Sequence, residues 1–211
     1  MKSQAQSPRS KAGRRSILAS LCLLASALWL PSSAQTVITA PGLAAFGTNA
    51  SAGGGGGGCS PSYSNTGGQG NRTSVITLTE GGGIIAGTLT RLIDGTYADG
   101  TTFWQNNITL DGVNFWVQFD FGSGHTATIT EATYKQSTAN TEGTWQWQGS
   151  NNASSWTNIG STFTLGGSTS QVITALSGNT TAYRYYRLLG ISGTTSFTPW
   201  IRGIDFKLCY T

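Results

Sequence analysis

The chain has 211 residues, with twelve Lys and Arg against eight Asp and Glu, a formal net charge of +4. Five of the basic residues lie within the first 34, so residues 35–211 carry a net charge of −1 with no Lys/Arg-rich run, which excludes nucleic acid as a partner. Only 9% of residues are charged, while Thr, Ser, Gly, Asn and aromatic residues are abundant, the composition of an exported all-β domain and not of a disordered chain.

Lys2, Arg9, Lys11, Arg14 and Arg15 precede an apolar run, Ile17 to Leu30, and Ser32-Ser33-Ala34 then offers small residues for cleavage. This predicts a secretory signal peptide over 1–34, and a product that is secreted, periplasmic or on the cell surface. The run is short for a bilayer span, so no membrane span is expected once the leader is removed. Arg14-Arg15-Ser16-Ile17-Leu18 resembles a twin-arginine export signal, and the route, that one or the general secretory one, stays open. Residues 35–71 read as a flexible Gly-rich arm, with six consecutive glycines at Gly53 to Gly58. No strand precedes those glycines and no helix follows them, so they are not a phosphate loop.

The domain proper is placed at 72–211. Ser74 to Thr79 is a β-branched run, Gly81-Gly82-Gly83 turns the chain, and Leu89 to Ile93 leads into an Asp94-Gly95 turn. In Asn114 to Phe121, residues Phe115, Val117, Phe119 and Phe121 face one way and Trp116, Gln118 and Asp120 the other. Ala127 to Lys135 is the next strand. In Gly143 to Gly160, Trp145 and Trp147 share one face, with Thr144, Gln146 and Gln148 opposite, and Trp156 and Ile159 resume an apolar pattern beyond a polar loop. The three tryptophans Trp145, Trp147 and Trp156 are assigned to the core. Short strands follow at Ser161 to Leu165, Gln171 to Leu176 and Tyr183 to Leu189. The last runs from Ile201 to Leu208, with Ile204, Phe206 and Leu208 on one face. Strands of this length and spacing imply an antiparallel β-sandwich. Cys59 and Cys209 most simply form a disulfide in an exported chain, with two free thiols as the competing reading.

Five motifs in order resemble the discoidin, or coagulation-factor type C, domain of the galactose-binding-like superfamily. They are Leu92 to Gly95 with Thr102 to Trp104; Trp116 to Gly122; Trp147 to Trp156; Arg184 to Leu188; and Ile204 to Phe206. The resemblance implies an eight-stranded jelly-roll sandwich with adjacent, disulfide-linked ends, in agreement with Cys59 and Cys209. It also implies one structural calcium ion, for which Asp94, Asp99, Thr101 and Thr102 supply oxygens; the alternative is an Asp-Gly turn in which Asp94 caps its own backbone. It further implies a binding site for carbohydrate or a cell-surface glycoconjugate at the loop end. Trp200 is the preferred platform there, flanked by Pro199 and Arg202 and with Tyr97 on another loop of that end, against the alternative that Trp200 packs over the sandwich end. Asp120 is expected to pair with Arg184 or Arg187. His125 has no partners for nucleophilic catalysis, so no enzyme is expected. The function expected is a secreted, non-catalytic binding module, with an assembly module lacking a small ligand as the alternative.

Overall fold

A computed structural model describes residues 58–98 and 102–211; residues 1–57, which hold the expected signal peptide and most of the expected arm, and residues 99–101 lie outside the described residues. Nine strands form two antiparallel sheets among these residues. The strands are β1 (Thr77–Gly81), β2 (Thr102–Phe103), β3 (Trp116–Asp120), β4 (Ala127–Gln136), β5 (Thr141–Ser150), β6 (Thr157–Gly166), β7 (Ser170–Ile173), β8 (Tyr185–Ser192) and β9 (Trp200–Tyr210). One sheet has the order β1-β3-β8-β5-β6 and the other β2-β9-β4-β7. The expected antiparallel sandwich is therefore present, with the two-residue β2 bringing the count to nine rather than eight.

The period-two pattern of the sequence fixes which face each strand buries. In β3, Val117 and Phe119 are fully buried, and in β9 the inward residues are Ile204, Phe206 and Leu208. Between the sheets, Phe119 meets Phe206 edge-on at 5.1 Å and Trp104 stacks on Trp145 at 5.0 Å. Buried aromatics need partners for their polar atoms. Trp104 Nε1 donates to Tyr134 Oη and Trp145 Nε1 to the Glu142 carbonyl. Tyr186 Oη donates to the Ala127 carbonyl, and burial pushes its pKa up to about 12.

Local structure adds detail to the pattern. Leu89 to Leu92, leading into the Asp94-Gly95 turn, is a 3-10 turn, and Leu92 is buried under β9. Gln146 lies opposite Trp145 and Trp147 as expected but is buried there beside Leu189: at the ladder irregularity between Trp145 and Trp147 its amide donates to the Trp147 and Ile159 carbonyls at 2.9 Å. Trp156 is half-buried outside the core, beneath the Arg187 guanidinium at 4.2 Å from its ring centroid. The sequence pattern could not separate these cases, because an aromatic covered by arginine and one covered by the other sheet show the same spacing.

The chain also joins the sandwich before residue 72. Ser62 bridges Leu208, Asn65 Nδ2 donates to the Leu208 carbonyl at 2.6 Å, and Tyr63 Oη contacts Thr133 and Glu131. Cys59 and Cys209 are disulfide-bonded. Asp120 pairs with Arg184, whose Nε and Nη2 lie 2.8 and 2.9 Å from the two carboxylate oxygens. On the open edge of β6, the Gln171 side chain accepts from Gly166 N at 2.8 Å and donates to the Thr164 carbonyl at 2.7 Å.

Strand directions sort the loops into two ends. The disulfide lies with the loops at 121–126, 151–156 and 177–184. The opposite end gathers the loops at 104–115, 137–140, 167–169 and 193–199.

Candidate functional site

The loop end away from the disulfide is one hydrogen-bonded frame. Glu142, the second residue of β5, is fully buried and accepts from Ser196 N at 2.8 Å and Ser196 Oγ at 2.9 Å. Asn140 Nδ2 reaches Thr198 Oγ1 at 3.1 Å and Ser196 Oγ at 3.4 Å. Thr195, also buried, accepts from Ile108 N and donates to the Gln105 carbonyl. Thr109 and Thr194 form a further bridge. The 105–110, 137–140 and 193–199 segments are thus tied to one another, and between Ser196 and Thr198 they carry Phe197 outward, 71% exposed. Val113, 67% exposed, stands on the neighbouring loop at the same end.

Burial raises the pKa of Glu142, and the two bonds from Ser196 offset this only in part. A carboxyl whose folded pKa exceeds its ordinary value binds a proton more tightly in the folded state. That contribution is full below pH 4.5 and is lost as pH rises through the folded pKa. Glu142→Gln, which keeps an acceptor for Ser196 N, is expected to abolish this part of the pH dependence. Glu142→Ala strands both Ser196 donors and is expected to lower stability by about 1–3 kcal/mol at pH 7. Denaturation of both variants across pH 4–7 checks this; a variant-independent slope rules it out.

The predicted site residues divide. Trp200 opens β9 and is half-buried, with its backbone paired to Phe103 and its carbonyl accepting from Ser137 N. Arg202 lies at the bulge between Ile201 and Gly203. Tyr97 is brought to this strand but is pinned to it. Its hydroxyl donates to Asp205 Oδ1 at 2.5 Å, Lys135 Nζ sits 3.6 Å from its ring centroid, and a Cβ on Gly203 would come within 2.9 Å of that ring. Tyr97 adopts φ +49°, a left-handed conformation unusual for an aromatic residue and held here by those contacts. Phe197 was not singled out from the sequence. Its signal was present, an aromatic inside a polar run before Pro199, but only the frame around Ser196 shows that it points away from the core.

Asp205 itself is a buried hub. Lys135 Nζ lies 2.7 Å from Oδ2 and Arg72 Nη2 3.3 Å from Oδ1. Arg72 is 1% exposed and also donates to the carbonyls of Gly68, Gly70, Leu92 and Ile204. One guanidinium thereby joins the N-terminal segment, the turn before Asp94 and β9.

For the metal, Asp94 Oδ1 accepts from Thr96 N and Oγ1, and Oδ2 accepts from Arg91. Burial raises its pKa, but these bonds outweigh it and the net shift is downward. This is the Asp-Gly turn geometry. Asp99 and Thr101 lie outside the described residues, and Thr102 is placed by its backbone alone. Among the described residues no three acidic, His or Cys groups gather where a metal could sit. His125 is exposed and stacks on Tyr210 at 5.0 Å.

No protein-family model and no curated protein matches the chain. Solved structures do. The C-terminal domain of a chitobiase from Bacteroides fragilis is 16% identical, with 65% of this chain and 96% of that one covered at a TM-score of 0.47. The family 32 carbohydrate-binding module of NanJ from Clostridium perfringens, in complex with galactose, is 13% identical, with coverage of 64% and 92% and a TM-score of 0.42. A further family 32 module from Clostridium perfringens, in complex with GalNAc-β-1,3-galactose, is 14% identical, with coverage of 62% and 92% and a TM-score of 0.44. The chain folds as the antiparallel β-sandwich that the discoidin and galactose-binding-like resemblance implied. At these identities and TM-scores that assignment rests on the pairing of its own strands, and the matches carry no argument about ligand.

Proposed function

We propose that the protein is an exported, non-catalytic carbohydrate-binding module whose ligand site is the loop end around Phe197. The observation that supports this is an exposed aromatic ring mounted on a frame whose polar atoms are already bonded, beside the hydroxyl and amide groups of Asn140, Ser196 and Thr198. A sugar has apolar faces and polar edges, and such a surface suits it: the ring stacks on the face while fixed polar groups meet the hydroxyls. A preorganised frame also limits the ordering entropy lost on binding. The Cys59–Cys209 disulfide supports export, because such bonds persist in oxidising compartments.

A glycan array probed with the full chain tests the reading. Phe197→Ala is expected to weaken the best ligand by on the order of tenfold or more, the effect of losing a central aromatic contact, with Trp200→Ala showing a smaller effect. Absence of binding to every glycan would instead favour an assembly module with no small ligand. The module also holds one structural calcium ion at the loop from Asp94 to Thr102. Its test is thermal melting with calcium against chelator: the midpoint is expected to rise with calcium, and an unchanged midpoint removes the ion.

A further inference from the structure

The outer face of the five-stranded sheet carries a second arrangement, on a different surface from the Phe197 loops. Thr79 of β1 pairs with Gln118 of β3, Gln118 with Arg187 of β8, Arg187 with Gln148 of β5, and Gln148 with Asn158 of β6. These five residues form one unbroken row across all five strands. Neighbouring strands lie about 4.8 Å apart, so the row is roughly 19 Å long. Val117, Phe119, Trp147, Tyr186 and Leu188 take the opposite face of the same strands and are buried. The row therefore faces away from the core, with its two ends, Thr79 and Asn158, exposed and its centre half-buried.

Every member of the row is a hydroxyl, an amide or a guanidinium. Gln148 Nε2 donates to Asn158 Oδ1 at 2.8 Å, and Arg187 donates to Gln148 Oε1 from Nε at 2.8 Å and Nη2 at 2.6 Å. Aromatic rings border the row on both sides. Trp116 lies above it, across Gly81, where a Cβ would come within 2.3 Å of the indole Nε1. Trp156 and Tyr185 lie below it, with Tyr185 two residues before Arg187 on the same outward face. The Arg187 guanidinium stands 4.2 Å from the Trp156 ring and 5.9 Å from the Trp116 ring.

Charge distinguishes this arginine. Arg72, Arg91, Lys135 and Arg184 each pair with a carboxylate. Among the described residues no carboxylate lies within ion-pair distance of Arg187. Stacking holds its cation over the sheet, partly desolvated and without a counter-charge among the described residues. Such a cation is best met by a carboxylate from outside the chain, which a guanidinium can bind in bidentate geometry. The row length and its flanking rings suit an extended chain of pyranose rings and not a compact ion.

We propose that this sheet face is a second binding site, distinct from the loop end, for an extended acidic polysaccharide whose uronate carboxylate meets Arg187 while its rings lie against Trp116 and Trp156. The Thr79, Gln118, Gln148 and Asn158 side chains hydrogen-bond the flanking hydroxyls.

The test uses oligogalacturonate as the probe, a neutral cello-oligosaccharide of equal length as the control, and the full chain. Arg187 variants risk the sheet itself, so the informative change is Thr79→Glu with Asn158→Glu, both at exposed positions. That double variant is expected to keep the parent melting midpoint and to bind oligogalacturonate at least about tenfold more weakly, with the parent's affinity falling as salt is raised. Phe197→Ala is expected to leave this binding intact, which separates failure of the present site from failure of the loop-end reading. Absence of oligogalacturonate binding by the parent would overturn the proposal. So would binding unchanged in the double Glu variant, binding lost in Phe197→Ala, or equal affinity for the neutral chain.

Discussion

Asp205→Ala is expected to lower the unfolding free energy by about 3–5 kcal/mol, the loss typical when one partner of a buried ion pair is removed. Arg72 sets the size. Its side chain is 1% exposed, and burial already lowers its pKa, with the Asp205 charge acting in the opposite sense. Without Asp205 the guanidinium keeps its four carbonyl acceptors but loses its buried counter-charge. Lys135 and the Tyr97 hydroxyl lose their shared acceptor in the same step. For a domain of this size each kcal/mol shifts the melting midpoint by about 2–4 °C, so a fall on the order of 10 °C is expected. Asp205→Asn keeps an acceptor and should fall between parent and alanine. Thermal and urea unfolding of the two variants is the measurement. A loss for alanine below about 1 kcal/mol, the scale of an ordinary exposed pair, would show that Arg72 is not held by charge.

Removing the disulfide with Cys59→Ser and Cys209→Ser should be of similar size, for a different reason. The bond closes a sequence separation of 150 residues. In the chain-entropy model such a loop restricts the unfolded state by about 5 kcal/mol, and measured effects often fall short of the model. The folded state should change little. Ser62, Tyr63 and Asn65 dock the first segment onto β9 and β4 through their own hydrogen bonds. The expected result is an unchanged fold by circular dichroism with a midpoint several degrees lower, reproduced in the parent by reductant. Equal midpoints with and without reductant would mean that the docked segment alone restrains the chain.

Much of the sandwich was legible because burial on one face writes a period of two into the sequence. Val117 and Phe119 in β3, and Ile204, Phe206 and Leu208 in β9, follow that pattern and are buried as expected. The Cys59–Cys209 bond and the pairing of Asp120 with one of two arginines were also readable. Local deviations were not. Gln146 is buried because its amide fills an irregularity of the ladder, and nothing in Thr144 to Gln148 announces where the ladder slips. Trp156 departs from the core because Arg187, thirty-one positions later, supplies its cover. Arg72 gathers acceptors from the neighbourhood of Gly68, Leu92 and Ile204, three segments that only the finished topology brings together. The candidate site was half legible: the sequence puts Trp200 at the loop end of the sandwich, three residues from Phe197. Which aromatic in it faces solvent depends on Glu142, a buried carboxylate on another strand.

Gln171 bears on how copies of this protein behave when crowded. A sandwich whose outermost ladder partners stay open invites a neighbour to continue the sheet, the usual beginning of fibrous aggregates. Here one amide occupies a donor and an acceptor of the last rung, at Gly166 and Thr164, before any neighbour can. The Gly166 end of that border is thereby closed to a neighbouring strand.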